Sequence, residues 1–300
     1  MVDFVPNERA TPIRMPSTAN LMLDSADRGI DVDSAFEFQI TKNYSILNGF
    51  FTRIATTEVV LEWCEPNIGG LTSGLNEGFG NNTIVFDLSG SGANTYVGSQ
   101  IITLGSGHYT AAQALDAIVY ELNDLSGTTG MTFAIDSSTG QVYLRATGGE
   151  FFWDDSGNIG DRPLGFILGL GLGGAPHRLD YKIDCPDLRP YRYIDFVSSQ
   201  LTYNQDLKDS STAPIVRDVL CRWYFAFDEQ NQLDKYGFPI LMGYTSFCLR
   251  RLFNPPKQIK WSSNQPVGNL AFQVYDNYGN LIVAQAIETD WLMTLQVSEV

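Results

Sequence analysis

The chain has 300 residues, 44% hydrophobic and 12% aromatic against 18% charged, enough apolar surface to close one large β domain or two ordinary ones and to exclude global disorder. Thirty-four acidic against nineteen basic residues leave a formal charge of −15, which repels phosphate and argues against nucleic-acid binding by the chain as a whole. The N-terminal stretch has no continuous apolar segment, and the longest apolar run, Leu164 to Gly174, is too short and glycine-rich for a bilayer, which takes about 20 residues; no cleaved signal and no membrane span are expected.

The first nineteen residues, with Pro6, Pro12 and Pro16, read as an extended arm that carries Arg9 and Arg14. Alternation of period two then dominates. Phe36, Phe38 and Ile40 form one apolar row, Ile84, Phe86 and Leu88 another, and Met131, Phe133 and Ile135 a third. Between the second and third rows the pattern changes period. Thr110-Ala-Ala-Gln113 reads as a capping box, and Leu115, Ile118, Val119 and Leu122 follow at helical spacing, which predicts one amphipathic helix of about four turns ending near Ser126-Gly127. Asp136 to Gly140 is the turn of a hairpin between Met131 to Ile135 and Gln141 to Leu144. Strand, helix and hairpin make a small α+β segment, at about residues 95–175. Long strands return at Val219, Cys221, Trp223, Phe225 and Phe227, and again at Trp291, Met293, Leu295 and Val297. The predicted fold is all-β, a sandwich formed by residues 20–300 with the α+β segment inserted in it.

Charge is unevenly spread. No Lys or Arg occurs between Arg53 and Arg145, while acids accumulate from Glu58 to Asp136; this block is expected to face solvent, and Arg250, Arg251, Lys257 and Lys260 to form a mildly basic region. The four cysteines are far apart and read as reduced, buried thiols. His108 and His177 stand in polar loops without a motif around them, and neither a nucleophile elbow nor a zinc-hydrolase signature occurs. The run Gly165 to Gly174 lacks the Lys-Ser/Thr of a phosphate loop and reads as a buried bend or close backbone approach. Asp31 with Asp33, and Asp154 with Asp155, lack the remainder of a calcium loop. Catalysis, metal and cofactor are therefore not expected. Tryptophans on alternating strands read as core; an exposed one, such as Trp153, would instead suit a carbohydrate-binding, host-attachment sandwich.

Three stretches, in order, resemble a known family. Ser17-Thr-Ala-Asn-Leu-Met-Leu-Asp-Ser-Ala-Asp-Arg28 precedes the Phe36 to Ile40 strand, and a second strand ends in Trp63-Cys-Glu-Pro-Asn67. Gly107-His-Tyr-Thr-Ala-Ala-Gln-Ala-Leu115 is followed by the hairpin and Leu164-Gly-Phe166. Pro255-Pro-Lys-Gln-Ile-Lys-Trp261 precedes Val267 to Phe272 and Asp276-Asn-Tyr-Gly279. Together they resemble the single jelly-roll penton and minor capsid proteins of virophages, polinton-like viruses and large eukaryotic DNA viruses. The resemblance implies an eight-stranded jelly roll, five copies of which close the vertex of an icosahedral shell. It further implies a place in the virion, assembled inside the host cell, beside a major capsid protein and other shell proteins. Arg9 and Arg14 become candidates for an assembly arm that ties neighbouring subunits, and no sequence-specific nucleic-acid partner is implied. The Gly69 to Asn82 loop and the Arg189 to Asp209 stretch depart from the family's pattern and leave the order of the inner strands open.

Overall fold

In the computed structural model the described residues are 18–28, 34–41, 53–69, 81–90, 98–126, 131–154, 164–170, 178–189, 191–202, 219–225, 232–241, 244–260, 269–277, 279–282 and 289–298. The alternating rows at Phe36 to Ile40, Val219 to Trp223 and Trp291 to Val297 fall on strands of two stacked antiparallel sheets. One contains β1 (Thr18–Asp24), β15 (Asp290–Ser298), β3 (Arg53–Trp63) and, beyond β3, β12 (Phe247–Leu252) and β13 (Gln258–Lys260). The other runs β11 (Val219–Tyr224), β10 (Tyr193–Val197), β14 (Asn269–Asp276), β2 (Glu37–Thr41). β12 pairs with Glu58 to Trp63 and β13 with Arg53 to Ala55, so the two occupy a single strand position. The ladder lapses between them at Pro255 and Pro256, which have no N–H to donate.

Counted that way, the described strands of these two sheets fill eight positions, and the neighbours are first with eighth, second with seventh, third with sixth and fourth with fifth. This is an antiparallel ribbon doubled and wrapped into two sheets, the jelly roll. The order of the inner strands, open in the sequence, is thereby settled. One expectation is corrected: the Ser17 to Arg28 motif does not precede the first strand but contains it, since Thr18–Asp24 pairs along its whole length with β15.

The rows that alternate in the sequence point inward. Trp291 lies at the centre of the sandwich, with Phe38, Phe196 and Phe272 ring centroids 5.5, 5.2 and 5.4 Å away, and its indole N–H donates to the Ala35 carbonyl at 2.8 Å. Trp63 packs with Phe36 and Phe225 at 5.8 and 4.9 Å. Aromatic pairs at these separations add roughly 0.5–1.5 kcal/mol each to what burial contributes.

Between β3 and β10 stands a second hydrophobic cluster, whose members run from Ile68 to Leu188 and include Phe238. It is enclosed by the sheet of β4 (Thr83–Gly90), β5 (Gly98–Thr103) and β8 (Gly149–Asp154), by the sheet of β6 (Thr132–Asp136), β7 (Val142–Thr147) and β9 (Asp180–Ile183), and by α1 (Ala111–Ser126). The capping box is formed as predicted: Gln113 N–H donates to Thr110 Oγ1 at 3.2 Å and Thr110 N–H to Gln113 Oε1 at 2.9 Å. Ala114, Leu115, Ile118 and Leu122 face the cluster. Asn123 then pins the helix to β6, accepting from Phe133 N–H at 2.7 Å and donating to its carbonyl at 2.9 Å.

The glycine run begins at α2 (Leu164–Ile167) and behaves as a close approach where it is described. A Cβ on Gly165 would lie 2.3 Å from the Trp153 ring, and one on Gly169, where φ is +76°, 1.7 Å from the Asp184 carbonyl oxygen. A short helix, α3 (Ser199–Thr202), follows β10 and buries Leu201.

Candidate assembly surface

The motif residues hold the fold, and what they leave exposed is the candidate surface. After β1 the chain turns through a single 3₁₀ turn, Ser25–Asp27, capped by the Asp24 carboxylate on Ala26 N–H at 2.8 Å. Ser25 Oγ accepts from Trp291 N–H and donates to Asp290, both at 2.8 Å. Arg28 closes the arrangement by pairing with Asp290 and donating to the Ser25 carbonyl. Thus the Ser-x-Asp-Arg motif welds the first strand's end to the last strand.

Two other stretches that carried the resemblance meet in space. Asn67 Oδ1 accepts from Tyr109 N–H and its Nδ2 donates to the Tyr109 carbonyl, each at 2.8 Å, imitating a strand pair. Asn81 extends the link by donating to the Asn67 carbonyl at 3.1 Å and accepting from Gly69 N–H at 3.0 Å. This is the way into the second cluster; the way out is held by Arg189, which binds Asp187 through two 2.8 Å bonds and donates to the Phe225 carbonyl at 3.0 Å. A third tie comes from residues 232–241, between β11 and β12. Asp234 accepts from the N–H groups of Ala112, Tyr236 and Phe238 at 2.9, 2.9 and 3.0 Å, while Tyr236 donates to Asp116 at 2.6 Å and Lys235 pairs with the same carboxylate. The junction leaves a partly open pocket of about 10 Å³, room for one water, lined in part by Asn67, Tyr109, Leu188 and Leu241.

The acidic block reaches solvent as expected, with Glu62, Glu121 and Asp124 exposed, but parts of it are neutralised or buried. Glu58 pairs with Arg250, Asp116 with Lys235 and Asp136 with Arg145, while Glu65 is buried and accepts from Thr289 at 3.0 Å. Folding brings cations distant in sequence to a block that has none of its own. For the same reason the Arg250 to Lys260 region is not simply basic surface: Arg251 lies 5.9, 5.7 and 5.9 Å from the rings of Trp223, Tyr224 and Phe253, and Lys257 donates to the Val219 carbonyl at 3.1 Å. Arg222 binds the buried Asp195 through bonds of 2.6 and 2.9 Å and lies 3.8 Å over Tyr193, and that salt bridge holds the guanidinium more firmly protonated than usual.

Trp153 is fully buried on strand β8 beneath Gly165, so the exposed-tryptophan basis for a sugar-binding groove is corrected; Trp63, Trp223 and Trp291 are core as well. Among the cysteines only Cys221 is deeply buried, and Cys185 and Cys248 are exposed, against the expectation of four buried thiols. His108 is half-buried beside the Ile68–Gly107 bridge. His177, Arg9, Arg14, Asp31, Asp33 and Asp155 lie outside the described residues. Among the described residues no three His, Cys, Asp or Glu side chains gather as metal ligands, and no helix is long and apolar enough to cross a membrane.

What remains on the outside is the outer faces and the open edges of the two sheets. On the first sheet Met22, Leu292 and Leu252 are exposed. The second presents Tyr224 beside Tyr193, with ring centroids 5.8 Å apart, and a Tyr275–Gln273–Glu37 chain of 3.0 Å bonds.

No family model matches the chain, and no curated protein does. Solved structures do. The chain is similar to the mavirus penton protein with a TM-score of 0.51 and 13% identity, over 96% of this chain and 100% of that one. A chain in the 3.5 Å cryo-EM structure of the Sputnik virophage matches with a TM-score of 0.44 and 12% identity, over 94% and 97%. The family resemblance read from the sequence is thus borne out as a shared fold: a jelly roll of the kind found in a viral penton protein.

Proposed function

We propose that the chain is a structural capsid protein of penton type, five copies of which close a vertex of an icosahedral shell beside the major capsid protein. The observation that carries this reading is one eight-position jelly roll with a separately cored body between its third and fourth positions, similar from end to end to a mavirus penton protein. A fivefold ring is built from one head-to-tail interface repeated at a fixed rotation, which a rigid sandwich with tied loops suits. In this reading the protein needs neither catalysis nor cofactor, works in the virion, and is assembled inside the host cell. Because Thr18 and Ala19 already pair with β15, the arm expected over residues 1–19 is shortened to residues 1–17, with Arg9 and Arg14 directed to the shell interior or a neighbouring subunit; the capsid domain starts at Thr18, and the segment at about 95–175 lies within its inserted body. A minor capsid or cement position in the same shell is the neighbouring alternative.

Native mass spectrometry and negative-stain images of the purified protein test the proposal, together with a search for the chain in purified particles. Fivefold rings and presence in particles are expected. A strictly monomeric protein that is absent from particles would overturn it.

A further inference from the structure

Among the described residues, the two sides at which the sheets end carry opposite net charge. The sheet orders place β1 and β2 at one side and β11 with β12 and β13 at the other. Contacts across the sheets support this: Arg251 and Lys257 reach from the β12–β13 segment onto β11, Phe225 and Phe247 lie 6.1 Å apart, and Phe38 of β2 meets Trp291, next to β1. The described residues 219–225 and 244–260 contain five cations, Arg222, Arg250, Arg251, Lys257 and Lys260, and no carboxylate. Residues 18–28 and 34–41 contain the carboxylates Asp24, Asp27 and Glu37 and one cation, Arg28, which is bound to Asp290. Some of the charge on the basic side is compensated from inner strands, by Asp195 on Arg222 and Glu58 on Arg250, yet the difference of sign between the sides remains.

Edge strands with backbone groups open on one flank invite pairing with another chain, and charge on such edges controls which pairing occurs. A net charge of one sign on each side disfavours the meeting of two like edges, as in a twofold dimer, and favours the unlike edge of the next copy. We infer that the β11–β12–β13 side of one copy docks against the β1–β2 side of a second copy of this chain, and that this charge complementarity sets the head-to-tail direction of assembly. The inference rests on the capsid reading above and adds to it the two surfaces and their polarity.

The test uses exposed residues, so that the fold is left intact. R250E with K260E turns the basic side net acidic once Asp195 and Glu58 are counted against the remaining Arg222, Arg251 and Lys257; D27K with E37K makes the acidic side basic. Either pair, checked by near-ultraviolet circular dichroism, is expected to weaken self-association about 10- to 100-fold, and all four substitutions together, which exchange the signs, are expected to restore it. Salt is expected to weaken the wild-type ring. An equimolar mixture of the two single-side variants offers only alternating contacts, which cannot close around an odd number of copies. Fivefold rings that survive both single-side variants, or an exchanged variant that stays monomeric, would overturn the edge assignment while leaving the capsid reading standing. A wild-type chain that neither self-associates nor occurs in particles would overturn both.

Discussion

The glycine run offers a sharp test of how the second body is built, through the substitution Gly169→Ala compared with Gly140→Ala. Both glycines have nearly the same backbone, with φ of +76° and +74°, so an alanine at either position bears the left-handed penalty of roughly 1–2 kcal/mol. They differ in space. A Cβ on Gly140, in the β6–β7 turn, meets nothing within 4 Å, whereas one on Gly169 falls 1.7 Å from the Asp184 carbonyl oxygen. Asp184 cannot easily retreat, because its own N–H donates to the Gly169 carbonyl at 2.8 Å and Asp187 N–H is held by Ile167 at 2.7 Å. Forced movement of packed backbone costs a further 1–3 kcal/mol or so, which gives about 2–5 kcal/mol for Gly169→Ala. Unfolding entropy of about 2.1 cal/mol/K per residue makes roughly 0.6 kcal/mol/K for a chain of 300. If the molecule melts as one unit, Tm therefore falls by about 3–8 °C for Gly169→Ala and 2–3 °C for Gly140→Ala. Scanning calorimetry on both variants is the assay. Equal shifts would refute the reasoning, since they would mean that the close approach to Asp184 carries no cost.

Three further outcomes are expected. Burial pushes the Cys221 thiol up, so above the unfolded thiol's pKa near 8.5 the native state holds a proton that the unfolded chain loses, and stability declines with rising pH by up to about 1.4 kcal/mol per unit; urea titrations at pH 7, 9 and 10 should show a shallower decline for Cys221→Ser, and an unchanged slope would contradict it. Asp234→Ala orphans the three N–H groups that the carboxylate receives, at a cost of about 1–3 kcal/mol, and hydrogen exchange should quicken at Ala112, Tyr236 and Phe238 while the amides of β15 keep their protection; unchanged exchange at the three would show that the tie is dispensable. In the unassembled native chain Cys185 and Cys248 should be alkylated and Cys221 spared until denaturant is added, as peptide mass mapping can show; rapid native labelling of Cys221 would contradict its burial.

The rows that alternate at period two, Phe36 to Ile40 and Trp291 to Val297 among them, were readable because a half-buried strand writes its inward face into every second residue. The helix was readable because Thr110 and Gln113 satisfy each other's backbone locally, three residues apart. The surface features were not. Ser25 and Arg28 act on Asp290, more than 260 residues away, and nothing in the neighbourhood of any of the three announces the others. Trp153 read as a candidate exposed aromatic in the Phe151 to Asp155 stretch, and whether its ring met solvent or Gly165 depended on how α2 packed. The cation partners of the acidic block were hidden for a related reason: an absence of local cations says nothing about Arg250 or Lys235, which the ladder β3–β12 and the 232–241 segment bring to it.

Composition, periodicity and local capping determined by themselves that this chain makes a large β-sandwich with one inserted amphipathic helix, because burial of alternating faces and satisfaction of neighbouring backbone groups are short-range requirements. Only the tertiary structure decided which strand lies beside which, that β12 and β13 share one position, and that among the described residues the sandwich's two sides differ in net charge. Those properties are sums over residues far apart in the chain, and strand pairing across long loops is what brings them to one place.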